Sequence, residues 1–282
     1  NGSNVLIQAL VILAGVGRSV LTVRPTFAVY AAQARLLGAE LVEVPLGKGF
    51  ALPTQGLLDA LVGRRGALFL ADPAAPTGNA HDPAAIERVM TAAHASGSWL
   101  TVIDEAYAEF SGSDHAGQVR RLPSCLSLHT FSKAAGLAGA RIGYALTSAT
   151  VATHLRKVLL PFSVSALQVA VGLTVLDRPD VTAARVTAVV DERKRVQRAM
   201  ERLPGVEVFP SVTNFVLFRV SDPAAVHRAL LAADIVVRRQ DHLDGAQGCL
   251  RVSIGTPGEN DQFLAAVGAA VGAAAGAERG ES

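Results

Sequence analysis

The chain has 282 residues, half of them apolar, which is enough to bury the core of one large domain or two smaller ones. Its 26 basic and 24 acidic residues leave a net charge of only +2, so we expect no nucleic-acid partner. The two cysteines, Cys125 and Cys249, do not make a disulfide framework and indicate a cytoplasmic protein. The apolar run at residues 5–16 contains Gln8 and is too short to span a bilayer, so we expect no membrane segment.

Strand-like and helix-like segments alternate along the chain up to residue 178. Ser3 and Asn4 are expected to cap a helix that runs to Leu13. Strands are predicted at residues 19–23, 40–45, 67–71, 99–103, 126–129 and 142–146, and further helices at residues 26–37, 57–62 and 82–96. Apolar strands that alternate with helices predict an α/β fold, in which helices sandwich a mostly parallel sheet.

The pattern changes near Arg178-Pro179. A long charged helix is predicted at residues 181–203, and shorter elements follow it. These are strands at residues 206–209, 215–220, 235–238 and 250–254, and helices at residues 223–233 and 259–275. The order predicts a smaller α+β domain with a largely antiparallel sheet. We therefore expect a large domain at residues 1–178 and a small C-terminal domain at residues 179–282.

Chemistry-bearing residues cluster in the stretch T-F-S-K-A-A-G-L-A-G-A-R at residues 130–141. It follows a predicted strand and offers the hydroxyls of Thr130 and Ser132, then Lys133, then Arg141 after a loop of small residues. Hydroxyls, backbone amides and an arginine are the groups that bind a phosphate dianion. A partly desolvated amine beside them suits imine formation with an aldehyde. The alternative is a solvated lysine in a loop.

The chain has only four lysines among its 26 basic residues. Lys48 lies in a Gly-rich loop, and Lys157 and Lys194 lie on charged helical segments, so these three are expected at the surface. Lys133 is therefore the best candidate for an amine nucleophile.

A carboxylate ends the strand W-L-T-V-I of residues 99–103. Asp104 is expected to be poorly solvated there and to need a cationic partner, such as a protonated pyridine nitrogen. Tyr107, three residues further on, is placed to reach an oxygen of the same ring. Because ligands bind at the carboxyl ends of parallel strands, we expect Asp72, Asp104 and Lys133 to converge. The alternative is that Asp104 caps a helix and Tyr107 packs in the core.

Together, D-E-A-Y at residues 104–107 and T-F-S-K-A-A-G-L-A-G-A-R-I-G-Y at residues 130–144 resemble the fold-type I, pyridoxal-phosphate-dependent aminotransferases. Within that family the nearest resemblance is to the histidinol-phosphate aminotransferases. Further matching segments are P-T-F at residues 25–27, P-A-A-P-T-G at 73–78, T-N-F at 213–215 and C-L-R-V-S-I-G-T at 249–256. The resemblance implies pyridoxal 5'-phosphate as the cofactor and no metal.

The resemblance also implies roles for individual residues. Lys133 would bind the cofactor covalently, Asp104 would pair with its ring nitrogen, and Tyr107 would contact its phenolic oxygen. The other cofactor contacts would come from Ser3 and Asn4 at a helix N-terminus, Phe27 stacked on the ring, Thr130, Ser132 and Arg141. Arg251 and Arg238 would bind the carboxylate or phosphate of the substrate. The alternative for both arginines is a surface ion pair.

Two features depart from the family pattern. Ala75 stands where the family has an asparagine that donates to the phenolic oxygen, and the lost donor costs roughly 1–3 kcal/mol in the state that uses it. The chain also starts at Asn1 without the segment that precedes the phosphate-binding residues in relatives, so we expect an N-terminal part to be missing. That segment closes the active site and reaches the cofactor of the partner subunit, and the resemblance implies a homodimer.

Three functions stay open from the sequence. The favoured one is transamination between histidinol phosphate, a small-molecule amino donor, and the 2-oxo acid 2-oxoglutarate, as a cytoplasmic step of histidine biosynthesis. The second is threonine-phosphate decarboxylation, as in cobalamin synthesis, which shares the fold and most of the motifs. The third is a catalytically impaired paralogue or a regulator module that binds the cofactor without turnover.

Overall fold

The computed structural model describes residues 2–280, and the side chains of residues 2–273. Its larger sheet has six strands in the order β2-β1-β3-β4-β5-β6. They are Ser19–Arg24 (β1), Glu40–Pro45 (β2), Gly66–Ala71 (β3), Trp99–Asp104 (β4), Cys125–Thr130 (β5) and Gly143–Thr147 (β6). All neighbouring strands are parallel except β6, which runs antiparallel to β5. The predicted α/β fold with a mostly parallel sheet is confirmed.

Helices cover both faces of this sheet. They are Ser3–Ala14 (α1), Val29–Leu36 (α2), Thr54–Leu61 (α3), Pro83–Ala95 (α4), Ala108–Ser111 (α5), Ala116–Arg121 (α6), Ala149–Val158 (α7) and Ala166–Leu176 (α8). Apolar side chains of α1, α2 and α7 pack on one face, and those of α3, α4 and α6 pack on the other. Burial of both faces explains why strands such as β3 are apolar along their whole length.

The rest of the chain forms a second, antiparallel sheet in the order β7-β8-β10-β9. Its strands are Glu207–Val208 (β7), Phe215–Arg219 (β8), Arg238–Arg239 (β9) and Cys249–Ser253 (β10). The helices Pro179–Met200 (α9), Pro223–Ala232 (α10) and Pro257–Gly280 (α11) pack against it around a separate apolar core. None of the helices within residues 2–280 is long and apolar enough to cross a membrane.

A small apolar cluster joins the two sheets at the carboxyl end of the larger one. Its buried members are Ala75, Tyr107, Phe110, Ala134 and Phe215. Three partly buried valines of α9 pack against them. The cluster fixes the position of β8 and β10 relative to the ends of β3, β4 and β5, which is where the predicted site residues lie.

Several predicted elements need correction. Ser3 and Asn4 do not cap α1, because the N-terminal cap is Gly2 and no side chain bonds there. The helix predicted to begin at residue 26 begins at Val29, after a turn. The strand predicted at residues 235–238 is reduced to β9, since the Ile235 N–H bonds to the Leu230 carbonyl and so completes the end of α10. The helices α5, α6 and α8 were not predicted, and of α7 only a helical segment around Lys157 was.

Candidate active site

The site lies at the carboxyl ends of β3, β4 and β5. Asp104 is the last residue of β4 and Thr130 the last of β5, while Asp72 follows β3 directly. The Asp72 N–H donates to the Asp104 carbonyl oxygen at 3.0 Å, so the ends of β3 and β4 are adjacent as expected. The Asp72 carboxylate, however, bonds to His115 and to the His81 N–H rather than to Lys133.

The Asp104 carboxylate is buried, and both of its oxygens accept hydrogen bonds. The Tyr30 hydroxyl donates to Oδ2 at 2.7 Å, and the Ala106 N–H donates to Oδ1 at 3.1 Å. Burial raises the pKa of Asp104, although these two donors and the charge of Lys133 oppose the rise. A cation placed against this carboxylate would therefore favour its ionised form.

Tyr30 was missing from the predicted site. Its side chain is fully buried, and its ring stacks on Phe69 with 5.0 Å between centroids. It also meets the half-buried Phe27 edge-on at 5.6 Å, so it links the predicted ring-stacking residue to Asp104. The only sequence signal for the contact between Phe27 and Tyr30 is their spacing of about one helical turn.

A continuous row of side chains runs from Lys133 into the smaller sheet. The Lys133 Nζ lies 5.1 Å from the centroid of the Tyr107 ring, and this ring packs edge-on against Phe215 at 5.3 Å. The guanidinium carbon of Arg251 lies 4.7 Å from the Phe215 centroid, and Arg238 is the register partner of Arg251 across β9 and β10. The structure thus brings these predicted residues together from both sheets.

Burial lowers the pKa of Arg251, and the charge of Arg238 adds to this effect, while Tyr107 opposes it. Neither arginine forms an ion pair with any carboxylate among the residues whose side chains are described. The predicted alternative of a surface ion pair is therefore not seen for either. Two adjacent guanidinium groups without an acidic partner attract an anion.

The N-terminus of α1 meets Arg141. The Gly2 N–H donates to the Arg141 carbonyl oxygen at 2.7 Å, and a Cβ on Gly2 would lie only 2.8 Å from Arg141 Nη2. The hydroxyls of Thr130 and Ser132 are 2.9 Å apart. Ser3 opens the first turn of α1, where free backbone N–H groups and the helix dipole favour an anion. Position 2 favours glycine because its φ of +73° is one that residues with a side chain rarely adopt, and a Cβ there would also push the Arg141 guanidinium aside.

Two other predicted positions have plainer surroundings. Asn4 is exposed in the first turn of α1. Ala75 is a buried member of the apolar cluster that includes Tyr107. Its side chain has no hydrogen-bond donor, so it cannot replace the asparagine that the family has at this position.

A family model described as aminotransferase class I and II matches residues 1–267. The chain belongs to the class I and II aminotransferases. A histidinol-phosphate aminotransferase from Deinococcus radiodurans is 46% identical over 267 residues, which are 94% of this chain and 74% of that protein. The structure of a histidinol-phosphate aminotransferase from Sinorhizobium meliloti in complex with pyridoxal-5'-phosphate is 29% identical, with a TM-score of 0.85 over 96% of this chain and 76% of that one. The fold is also that of a Clostridium acetobutylicum histidinol-phosphate aminotransferase, with 22% identity and a TM-score of 0.88 over 95% of this chain and 81% of that one.

The cofactor of this aminotransferase is pyridoxal 5'-phosphate. Three observations show that the site fits it. The buried Asp104 carboxylate suits a protonated ring nitrogen, the α1 N-terminus beside Arg141 suits a phosphate, and the Lys133 amine lies near Asp104 and Tyr107.

The bond from Tyr30 to Asp104 generates a prediction. A carboxyl whose folded pKa is raised contributes its full stability below the unfolded pKa and loses it as the pH rises towards the folded value. Tyr30→Phe keeps the aromatic ring but removes the hydroxyl donor that lowers the pKa of Asp104. The loss of unfolding free energy that this substitution causes should therefore grow as the pH rises. We expect the cofactor-free variant to lose about 1.5–3 kcal/mol of unfolding free energy at pH 8, and less at pH 5, in urea titrations.

Tyr144→Phe is the matched control, because the Tyr144 side chain is 42% exposed and no acceptor lies at its hydroxyl within the described residues. It should change the unfolding free energy equally little at both pH values. An equal loss at pH 5 and pH 8 for Tyr30→Phe would show that the hydroxyl does not act on the ionised Asp104.

Proposed function

We propose that this aminotransferase transfers the amino group of histidinol phosphate to 2-oxoglutarate, as a step of histidine biosynthesis. The observation that carries the proposal is the pair Arg251 and Arg238. It lies at the end of the row that starts at Lys133, and neither arginine has a carboxylate partner among the described residues. Both substrates are anions, so one arginine pair can serve the phosphate of the donor and the carboxylates of the acceptor in turn. The names of the similar proteins support the same choice.

Bound in this site, the cofactor supplies an aldehyde that accepts the amino group and a ring that withdraws electrons from the substrate carbon. We assign to Lys133 the covalent attachment and the movement of a proton to and from that carbon. Asp104 would hold the ring nitrogen protonated, and Tyr107 would contact the phenolic oxygen, to which Ala75 offers no donor. The other proposed cofactor contacts are Ser3, Asn4, Phe27, Thr130, Ser132 and Arg141.

The direct test is to supply histidinol phosphate and 2-oxoglutarate and to measure the glutamate that forms. Glutamate that appears only when both substrates are present supports the proposal. Amine release from threonine phosphate without 2-oxoglutarate would indicate the decarboxylase instead. Cofactor binding without turnover of either substrate would indicate the impaired paralogue or regulator.

Arg251 is expected to determine substrate affinity. Removing a charge-assisted hydrogen bond costs about 1.5–3 kcal/mol, so Arg251→Gln should raise the KM for histidinol phosphate about 10- to 100-fold. Arg251→Lys should recover only part of the loss, because an ammonium group cannot bind a phosphate through two parallel hydrogen bonds.

The control is Arg228→Gln, which removes an exposed arginine on α10. Its kinetics should match those of the unaltered enzyme. An unchanged KM in Arg251→Gln would remove Arg251 from the substrate site.

We also propose that the chain forms a homodimer through the apolar surface of residues 160–176. This surface includes α8, which has no charged residue. Its most exposed side chains are Leu160 (78%), Phe162 (100%), Leu167 (79%) and Leu176 (63%). An exposed apolar patch of this kind marks an interface, and a second copy of this chain is the occupant that the family resemblance implies.

Leu167→Glu should weaken dimer formation by about 100-fold or more, because the carboxylate would be buried without a partner. Light scattering over a range of protein concentrations measures the effect. Leu36→Glu, which alters a leucine of α2 that is 71% exposed, should leave the mass unchanged. A monomeric unaltered protein at all concentrations would contradict the proposed interface.

Two further proposals concern the whole chain. We propose separate domains at residues 1–178 and 179–282, supported by two sheets and two sets of apolar cores on either side of Pro179. We also propose a cytoplasmic location, supported by the unpaired thiols of Cys125 and Cys249.

A further inference from the structure

Three hydrogen bonds and one peptide bond form a closed network at the start of the turn that carries Asp104 and Tyr107. The Asp72 N–H bonds to the Asp104 carbonyl oxygen at 3.0 Å, and the Asp72 carboxylate lies 2.8 Å from His115 Nε2. The His115 N–H donates to Glu105 Oε1 at 2.8 Å, and Glu105 follows Asp104 directly along the chain. A movement of this turn would break at least one of these contacts.

Glu105 also reaches the strand that leads to Lys133. Because successive side chains point to opposite faces of a strand, its carboxylate lies away from that of Asp104. It is completely buried, and its Oε2 lies 3.5 Å from His129 Nε2. His129 contacts the Ser127 hydroxyl at 3.0 Å and immediately precedes Thr130. One carboxylate therefore contacts both segments that carry the proposed cofactor residues.

The charges around Glu105 come from several elements. The titratable groups near it are Asp72 after β3, Glu109 on α5, Asp114 and His115 before α6, His129 on β5 and Tyr144 on β6. Burial raises the pKa of Glu105 to about 7, although the N–H and the charge of His115 oppose the rise.

The pKa values of the two neighbouring histidines shift in opposite directions. Burial acts to lower the pKa of His115, but the hydrogen bond and charge of Asp72 raise it overall, which favours the cationic ring. Burial lowers the pKa of His129, which favours the neutral ring. Glu105, with a pKa of about 7, changes charge near neutral pH.

We propose that Glu105 is a positioning residue which, with the His115–Asp72 ion pair, holds the turn of Asp104 and Tyr107 against the cofactor, and which does so most strongly when it is ionised. An ionised carboxylate accepts the His115 N–H in a charge-assisted hydrogen bond, which is about twice as strong as a neutral one. Protonation weakens this bond and occupies one oxygen. The inference rests on the proposed cofactor site and not on the choice of substrate.

The test is the affinity for pyridoxal phosphate, measured by titration of the visible absorbance of the protein-bound cofactor at pH 6 and pH 8. Glu105→Gln keeps an acceptor for the His115 N–H but cannot ionise. The ratio of its Kd to that of the unaltered protein should therefore be near one at pH 6 and should rise to about five at pH 8. Glu109→Gln, which removes an exposed neighbouring carboxylate, should give the same ratio at both pH values.

A second variant does not alter Glu105 itself. His115→Gln can still donate to Asp72 but removes the cation beside Glu105, so the pH dependence of the affinity should move to higher pH. It tests the inference even if Glu105→Gln does not fold.

Three results would overturn the inference or its basis. If the Kd of Glu105→Gln, divided by that of the unaltered protein, has the same value at pH 6 and pH 8, then Glu105 has only a structural role, whatever that value is. An unshifted pH dependence in His115→Gln would contradict the coupling to Glu105. If the unaltered protein shows no cofactor absorbance at all, the proposed cofactor site fails, which is a different outcome from a site that binds without this pH dependence.

Discussion

The buried carboxylate of Asp104 is the constraint on which the rest of the site depends. An ionised acid is costly to bury, and here it is supported by the Tyr30 hydroxyl and the Ala106 N–H, with the charge of Lys133 nearby. A cationic ring nitrogen would complete this set. The strand β4 places the acid, α2 supplies the hydroxyl, and the loop after β5 supplies the amine, so the site requires the larger sheet and its helices to be folded.

The second requirement is that the two sheets meet. Tyr107 lies in the turn that follows β4 of the larger sheet and Phe215 lies on β8 of the smaller one, and their edge-on contact links Lys133 to Arg251. The proposed site has two regions that we expect to bind anions. One is formed by α1 and Arg141, and the other by Arg251 with its strand neighbour. We expect the phosphate of the cofactor to bind at the first region and the anionic substrate at the second, which the row of contacts links to Lys133.

Much of this could be predicted from the sequence, because apolar strands and the residues that end them are local signals. The strand ends at Asp104 and Thr130 were predicted in this way, as was the loop that carries Lys133. Tyr30 and His115 could not be found, since their partners lie 74 and 43 residues away in the sequence and only the folded sheet brings them together. Residues 235–237 were predicted as part of a strand because Ile235, Val236 and Val237 are β-branched, but they follow α10 without regular structure, and the Ile235 N–H bonds to the nearby Leu230 carbonyl.

The central claim is that Lys133 carries the cofactor, and reduction of the complex tests it most directly. The protein is mixed with pyridoxal phosphate, reduced with borohydride, digested and analysed by mass spectrometry. We expect one modified lysine, Lys133, and no modification or visible absorbance band in Lys133→Ala. Modification of Lys48, Lys157 or Lys194 in its place, or no adduct in the unaltered protein, would contradict the account.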